Sequence, residues 1–127
     1  MAMDVQANSE SKWDAQLRKG TLELVILAIL KERRLYGLEL LGQLQSLETT
    51  AISEGTLYPL LDRLKRDHLV DAHWQQEGET RPRKYYKLTM KGEEKLADLT
   101  IRWRKSIEDI EILLNNPGPG PIRPEGD

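Results

Sequence analysis

The sequence predicts a mainly α fold with one small β-hairpin, and three observations lead to it. Leucine and isoleucine recur at the three-and-four spacing of a helical face in successive stretches from Leu22 to Leu64. Between Val70 and Leu88 the apolar period changes to two, the mark of strands. A last helical stripe, Leu96 to Leu114, is longer than so small a unit can cover by itself. With 127 residues, 39% of them hydrophobic, the chain has material for one compact core but not for two.

Residues 1–19 form an N-terminal extension that is only partly helical: the first ten are polar and patternless, and Trp13 and Leu17 then sit one helical turn apart. Thr21 is placed to cap a helix over Leu22 to Arg33, whose apolar residues leave almost no polar face and so belong at the centre of the core. Gly37 starts a short, one-sided helix with the stripe Leu40, Leu41, Leu44 and Leu47. Ser53 offers the next N-cap, with Ile52 and Leu57 as a staple across it, for a helix backed by Leu57, Leu60, Leu61 and Leu64. Pro59 lies too deep for the free first turn of that helix, which predicts either a kink or a start nearer Thr56.

Val70, Ala72 and Trp74 then alternate with Asp71 and His73, and Tyr86 and Leu88 with Tyr85 and Lys87; a turn at Glu77 to Pro82 makes the two runs a hairpin. Thr89 caps the final helix, Met90 to Asn115, about 39 Å long at roughly 1.5 Å per residue. Its apolar residues Leu96, Leu99, Trp103, Ile107, Ile110 and Leu114 make one stripe that a monomer leaves partly in water, so the helix is expected to pair with that of a second copy. The expected organisation is therefore one domain over residues 20–89, a dimerisation helix over 90–115 and a disordered tail over 116–127.

The net charge of −2 argues by itself against a nucleic-acid partner, but the charge is segregated. Residues 80–92 carry Arg81, Arg83, Lys84, Lys87 and Lys91 and no acid, so this stretch is +5 and leaves −7 for the remainder. Such a distribution gives a cationic patch on an acidic protein. The absence of cysteine excludes disulfides, thiolate metal sites and a thiol nucleophile. His68 and His73, the only histidines, are five residues apart and fall on opposite faces of a strand, which suits neither a metal pair nor an acid–base couple. With no Gly-rich phosphate loop either, the sequence predicts no catalysis, no metal and no cofactor. The longest apolar run, Leu24 to Leu30, is far short of the roughly 20 residues of a membrane span, and the polar start is unlike a secretory signal; a soluble, cytoplasmic protein is expected.

Three helices followed by a hairpin is the order of a winged helix-turn-helix, in which the third helix enters the major groove and the hairpin is the wing. The third helix here combines its leucine back with Ser53, Thr56 and Tyr58 near its N-terminus, where base edges are met, and Arg63, Lys65 and Arg66 further on, where phosphates lie. Arg81, Arg83 and Lys84 at the wing tip suit the adjacent backbone or a minor groove. A winged helix can instead be a protein-binding module without DNA, an alternative that Glu54 and Asp62 on the presented face favour. Trp103 on the terminal stripe is either interface packing or an aromatic platform for a planar ligand sandwiched between subunits. A two-fold dimer would read an inverted repeat with half-sites about one helical turn apart.

Three motifs stand in order along this frame: Tyr36-Gly37-Leu38-Glu39-Leu40, Ser53-Glu54-Gly55-Thr56-Leu57-Tyr58-Pro59, and Arg83-Lys84-Tyr85-Tyr86-Lys87-Leu88-Thr89 followed by Gly92. Together they resemble the PadR family, named for regulators of phenolic acid decarboxylase, over about Gly20 to Leu114. The resemblance implies a dimeric winged-helix repressor of double-stranded DNA whose last helix pairs the subunits and whose repression is relieved by small molecules or metabolic stress. It implies DNA-facing roles for Tyr36, Thr56, Tyr58, Arg81, Arg83 and Lys84. The single terminal helix resembles the short-tailed branch, some members of which bind flat aromatic compounds between subunits, with a tryptophan at the position of Trp103.

Overall fold

The computed structural model describes residues 12–116, so the patternless start and all but the first residue of the expected tail lie outside the described residues. Helix α1 covers residues 12–19. It is followed by α2 (Leu22–Ile29), strand β1 (Leu35–Tyr36), α3 (Gly37–Gln45), a single 3-10 turn (Glu48–Thr50), α4 (Glu54–Arg66), β2 (Val70–Gln75), β3 (Arg83–Leu88) and α5 (Met90–Asn115). The strands form one antiparallel sheet in the order β1-β3-β2. Val70 to Gln75 pair in register with Leu88 back to Arg83, and Leu35 and Tyr36 pair with Tyr86 and Tyr85. The fold is the mainly α winged helix with a long terminal helix that the sequence predicts, with β1 as an addition: two residues are too few to show an alternating pattern.

The core gathers one apolar face from each element. Ile26, Leu27 and Leu30 from α2 and its end meet Leu40, Leu41 and Leu44 of α3, Leu57, Leu61 and Leu64 of α4, Val70 and Tyr86 of the sheet, and Leu96 of α5. Three local expectations need correction. Helix α2 stops at Ile29 rather than Arg33, because the chain must turn back to bring Leu35 into the core beside Tyr86: Lys31 N–H bonds the Ala28 carbonyl at 3.2 Å, and Glu32 takes a left-handed φ of 62°. Thr21 precedes that helix without capping it, since its hydroxyl donates to the Arg18 carbonyl at 3.1 Å and so ties α1 to α2. Leu47 lies beyond the end of α3 in extended backbone and is exposed, leaving the stripe at Leu44.

Helix α4 starts at Glu54 with Ser53 as its cap, the Ser53 hydroxyl accepting from Thr56 N–H at 3.3 Å. Pro59 is accommodated inside the helix; having no N–H, it leaves the Gly55 carbonyl without the usual partner four residues on. The far end closes as a Schellman motif. Leu69 N–H reaches the Leu64 carbonyl and His68 N–H the Lys65 carbonyl, both at 3.0 Å, with His68 at φ 61° in the left-handed position that usually takes glycine. This turn delivers the chain directly into β2.

Helix α5 is fastened at its root alone. The Thr89 hydroxyl accepts from Gly92 N–H at 2.9 Å and donates to the His68 carbonyl at 2.6 Å, while Thr89 N–H bonds the Leu69 carbonyl at 3.1 Å. Gly92 then passes so close to the loop before β2 that a Cβ on it would lie 2.0 Å from the Leu69 oxygen. Leu96 is buried and Leu99 packs against the core, but from Ile101 to the end of the helix every residue is exposed.

The Gly92 contact is backbone against backbone, so an added methyl has nowhere to go. Gly92→Ala should lower the unfolding free energy by about 3 kcal/mol, the upper part of the range for overpacking a well-packed site. Urea denaturation reads this as a lower midpoint, and an unchanged midpoint would show that the helix root can slide.

Candidate nucleic-acid interface

Burial along α4 divides the helix in two. Leu57, Leu61 and Leu64 are fully covered, while Ser53, Glu54, Gly55, Thr56, Asp62, Arg63, Lys65 and Arg66 are exposed. The Ser53 and Thr56 hydroxyls lie 3.3 Å apart, so both groups sit together at the exposed N-terminal end. Arg63 is held by an ion pair with Glu23 of α2, a surface pair of the kind that contributes ~0–1 kcal/mol and exchanges easily for another anion. Tyr58 is half-buried and turned toward α3: a Cβ on Gly37 would lie 2.4 Å from its hydroxyl. The glycine at the start of α3 therefore makes room for the tyrosine of α4.

The sheet has an inner and an outer face, and the wing residues divide between them. Strand alternation places Leu35, Ala72, Tyr86 and Leu88 inward and Tyr36, His73, Gln75, Arg83, Tyr85 and Lys87 outward. On the outer face the rings of Tyr36 and Tyr85, partners in the β1–β3 ladder, meet edge to face with centroids 5.6 Å apart and planes at 77°. The Arg83 guanidinium lies 4.5 Å from the centre of the Tyr36 ring and that of Arg34 4.9 Å from the centre of the Tyr85 ring. Arg34 also donates to the Gln75 side chain, reaching across β3 to β2. Contacts of this type contribute about 0.5–1 kcal/mol each at exposed sites, enough to order the side chains without withdrawing their charge.

Lys84 points the other way. Its ammonium lies 6.0 Å from the centre of the Trp74 ring and 5.8 Å from that of Tyr86. Trp74 stands beyond the edge of the core, 69% exposed. Arg81 is exposed in the connection between the strands, where Gly78 supplies the left-handed φ of 61° and Thr80 bonds the Glu77 carbonyl at 3.2 Å through its N–H. Of the cations singled out in the sequence, Arg83 and Lys84 thus lie on opposite sides of the wing. Arg34, which joins this cationic face, was not singled out among its cations in the sequence; it lies before a strand too short to announce itself.

Below Tyr58, the Tyr86 hydroxyl is pushed above the ordinary tyrosine value, first by burial, then by the negative charge of Asp62 and by Tyr58. Tyr86 thus remains a neutral, apolar-packed pillar between β3 and α4.

On the other side of the molecule, Trp103 borders a groove of about 650 Å³ between α1, α2, the 3-10 turn and α5, floored by Leu24, Val25, Ala28 and Ile29. Trp103, Ile107, Ile110 and Leu114 are 41%, 38%, 45% and 73% exposed, so the outer part of the terminal stripe is uncovered, whereas Leu96 belongs to the protein's own core. Among the described residues no helix is long and apolar enough to cross a membrane, and no cluster of His, Asp and Glu could hold a metal ion.

Residues 26–98 match the model of the transcriptional regulator PadR-like family. A PadR family transcriptional regulator from Eggerthella lenta is 33% identical and superposes with a TM-score of 0.74 over 91% of this chain and 98% of that one. A PadR-like transcriptional regulator from Bacillus cereus is 35% identical, with a TM-score of 0.73 over 80% of this chain and 98% of that one. Bacillus subtilis PadR, solved in complex with operator DNA, shares the fold at 21% identity and a TM-score of 0.57, over 82% of this chain and 53% of that one.

The setting of Tyr86 has a measurable consequence. Because its folded-state value is raised, the stability that its neutral hydroxyl lends is fully present below pH 10, the ordinary tyrosine value, and is lost as the pH rises through the folded-state value. In an alkaline spectrophotometric titration Asp62→Asn should let Tyr86 ionise at a lower pH than it does in the wild type, because the negative charge of Asp62 helps to hold it neutral. A titration unaltered by Asp62→Asn would remove Asp62 from the account.

Proposed function

The chain belongs to the transcriptional regulator PadR-like family, and on that premise we propose that it binds double-stranded operator DNA as a homodimer and represses transcription until a planar aromatic small molecule relieves it. The reading assigns residues 20–89 to DNA and 90–115 to pairing of the subunits, in the cytoplasm.

The observation that carries it is the display of α4. A helix locked from behind by Leu57, Leu61 and Leu64 and free in front can enter a major groove without disturbing its own core. At its exposed N-terminal end Thr56 would meet base edges, with the Ser53 hydroxyl also holding the cap, while Tyr58, half-buried against Gly37, would reach DNA only at the border between α4 and α3. Lys65 and Arg66, and Arg63 on exchanging Glu23 for phosphate, would hold the backbone further along. Tyr36 and Arg83 on the outer face of the sheet, Arg81 in the connection between the strands and Lys84 on the opposite face of the wing would add the wing's contacts. The operator-bound structure of Bacillus subtilis PadR supports double-stranded DNA as the partner.

Dimerisation is supported by the uncovered stripe of α5. Beyond Leu99, which still packs against the core, Trp103, Ile107, Ile110 and Leu114 continue along one side of the helix and are all exposed. Trp13 and Leu17 of α1 are exposed as well, and Leu17 lines the same groove as Trp103. A planar ligand set against Trp103 would touch the floor of α2 and the dimer seam together, which is how occupancy could change the spacing of two α4 helices.

Affinity for a mixed-sequence duplex, followed by fluorescence anisotropy, should fall steeply as salt rises. Replacing Arg81, Arg83 and Lys84 with Ala should weaken binding to every sequence and flatten the dependence, whereas Thr56→Ala should chiefly reduce discrimination among operators. A flat salt response would favour the protein-binding alternative. For the assembly, Ile110→Glu should sediment at half the mass of the wild type. With Trp13 and Trp74 replaced, it should also lose the saturable quenching of Trp103 by planar cations or phenolics that is expected of the dimer. A monomeric wild type would eliminate the dimer, and an absence of quenching across the panel would eliminate the effector.

A further inference from the structure

We infer that Arg34, together with Arg83, forms a seat for a DNA backbone phosphate on the outer face of the sheet, with Tyr36 and Tyr85 as its rigid floor. The inference rests on the DNA-binding reading above and adds a residue that none of the three motifs contains.

The geometry is unusual for two surface arginines. Each guanidinium lies over one ring of a touching tyrosine pair: Arg34 crosses from the β1 side over Tyr85, and Arg83 crosses from β3 over Tyr36. The pair is itself fixed by the ladder, since Tyr36 and Tyr85 are register partners. Stacking occupies the π face of a guanidinium and leaves its N–H edge available. Of the five N–H donors of Arg34, the bond to Gln75 engages one group, and Gln75 is in turn the ladder partner of Arg83. Among the described residues, the ion pairs involve Arg63, Arg102 and Lys105, not Arg34 or Arg83. Two acids do share the neighbourhood. The Glu39 carboxylate accepts the Tyr36 N–H at 3.1 Å, and Asp71 stands opposite Lys87 further along the outer face.

Position points the seat at DNA rather than at solvent. Tyr36 is the N-cap of α3, the helix that in a helix-turn-helix crosses the sugar–phosphate backbone, and Gly37 next to it touches Tyr58 of α4. A phosphate on Arg34 and Arg83 would therefore flank the groove that receives the N-terminal half of α4. Arginines already held flat lose little freedom on taking up the phosphate oxygens, which makes this pair a better clamp than loose side chains of equal charge.

Full-length Arg34→Gln, Arg34→Lys and Arg33→Gln should be compared with the wild type on one mixed-sequence duplex across a salt series, with thermal unfolding of each protein alongside. Arg34→Gln should lower the salt slope by about 0.9 per bound subunit and, near ~0.1 M salt, weaken binding about eightfold per subunit, the effect of one released counterion. Its thermal midpoint should stay close to that of the wild type, and Arg34→Lys should keep most of the slope. Arg33→Gln should leave the slope unchanged, because the Arg33 guanidinium is turned to the Ile29 carbonyl beside the Trp103 groove. A steep wild-type slope that Arg34→Gln leaves intact, or that Arg33→Gln lowers equally, would overturn the seat while sparing the DNA-binding reading. A wild type without salt-dependent binding would overturn both.

Discussion

Two ladder rungs, Leu35 with Tyr86 and Tyr36 with Tyr85, tie the helical half of this molecule to its hairpin. Their effect is out of proportion to their number. By pinning β1 to β3 they fix where α3 begins, since Tyr36 is both the last residue of β1 and the N-cap of α3. They also place Gly37 under Tyr58, and so set how α4 lies against the sheet. On the inner side Tyr86 continues the contact into the leucines of α4, and on the outer side the two tyrosines carry two arginines. A displacement of β1 would alter all of these together.

The three motifs that mark the sequence are therefore parts of one contact. Gly37 from the first receives Tyr58 from the second, and Tyr36 from the first receives Arg83 and Tyr85 from the third. Gly92, which trails the third, acts elsewhere by letting the root of α5 press on the Leu69 carbonyl. Much of what looks like recognition chemistry in the motif residues is also architecture, because the same side chains that face outward hold the elements in register. Ser53 shows the overlap in miniature, its hydroxyl serving as a cap while lying beside Thr56 on the presented end of α4.

Elements with long apolar repeats were legible in the sequence, because burial of a face leaves a period: α3, α4, both hairpin strands and α5 all lie where their patterns place them. What escaped was set by tertiary demands that leave no period. The early end of α2 follows from the need to return Leu35 to the core, and Thr21 spends its hydroxyl on α1 instead of on α2. At the candidate site the basic cluster was visible as composition, but its division between two faces of the wing was not; that needs the register of β3, which places Arg83 outward and Lys84 inward toward Trp74. Arg34 could be found only through β1, and the stripe of α5 gave no sign that Leu96 serves the core while Ile107 does not.

The one-ended fastening of α5 makes it a mechanical lever. Its fulcrum is the stretch from Gly92 to Leu99, and beyond that the free arm is about 23 Å long at roughly 1.5 Å per residue. A rotation of only about 5° at the fulcrum would swing the tip near Asn115 through about 2 Å, so a small change of packing beside α2 is magnified along the shaft. The gearing runs in both directions: a force on the distal arm arrives at the Leu69 carbonyl, one residue from the turn that closes α4.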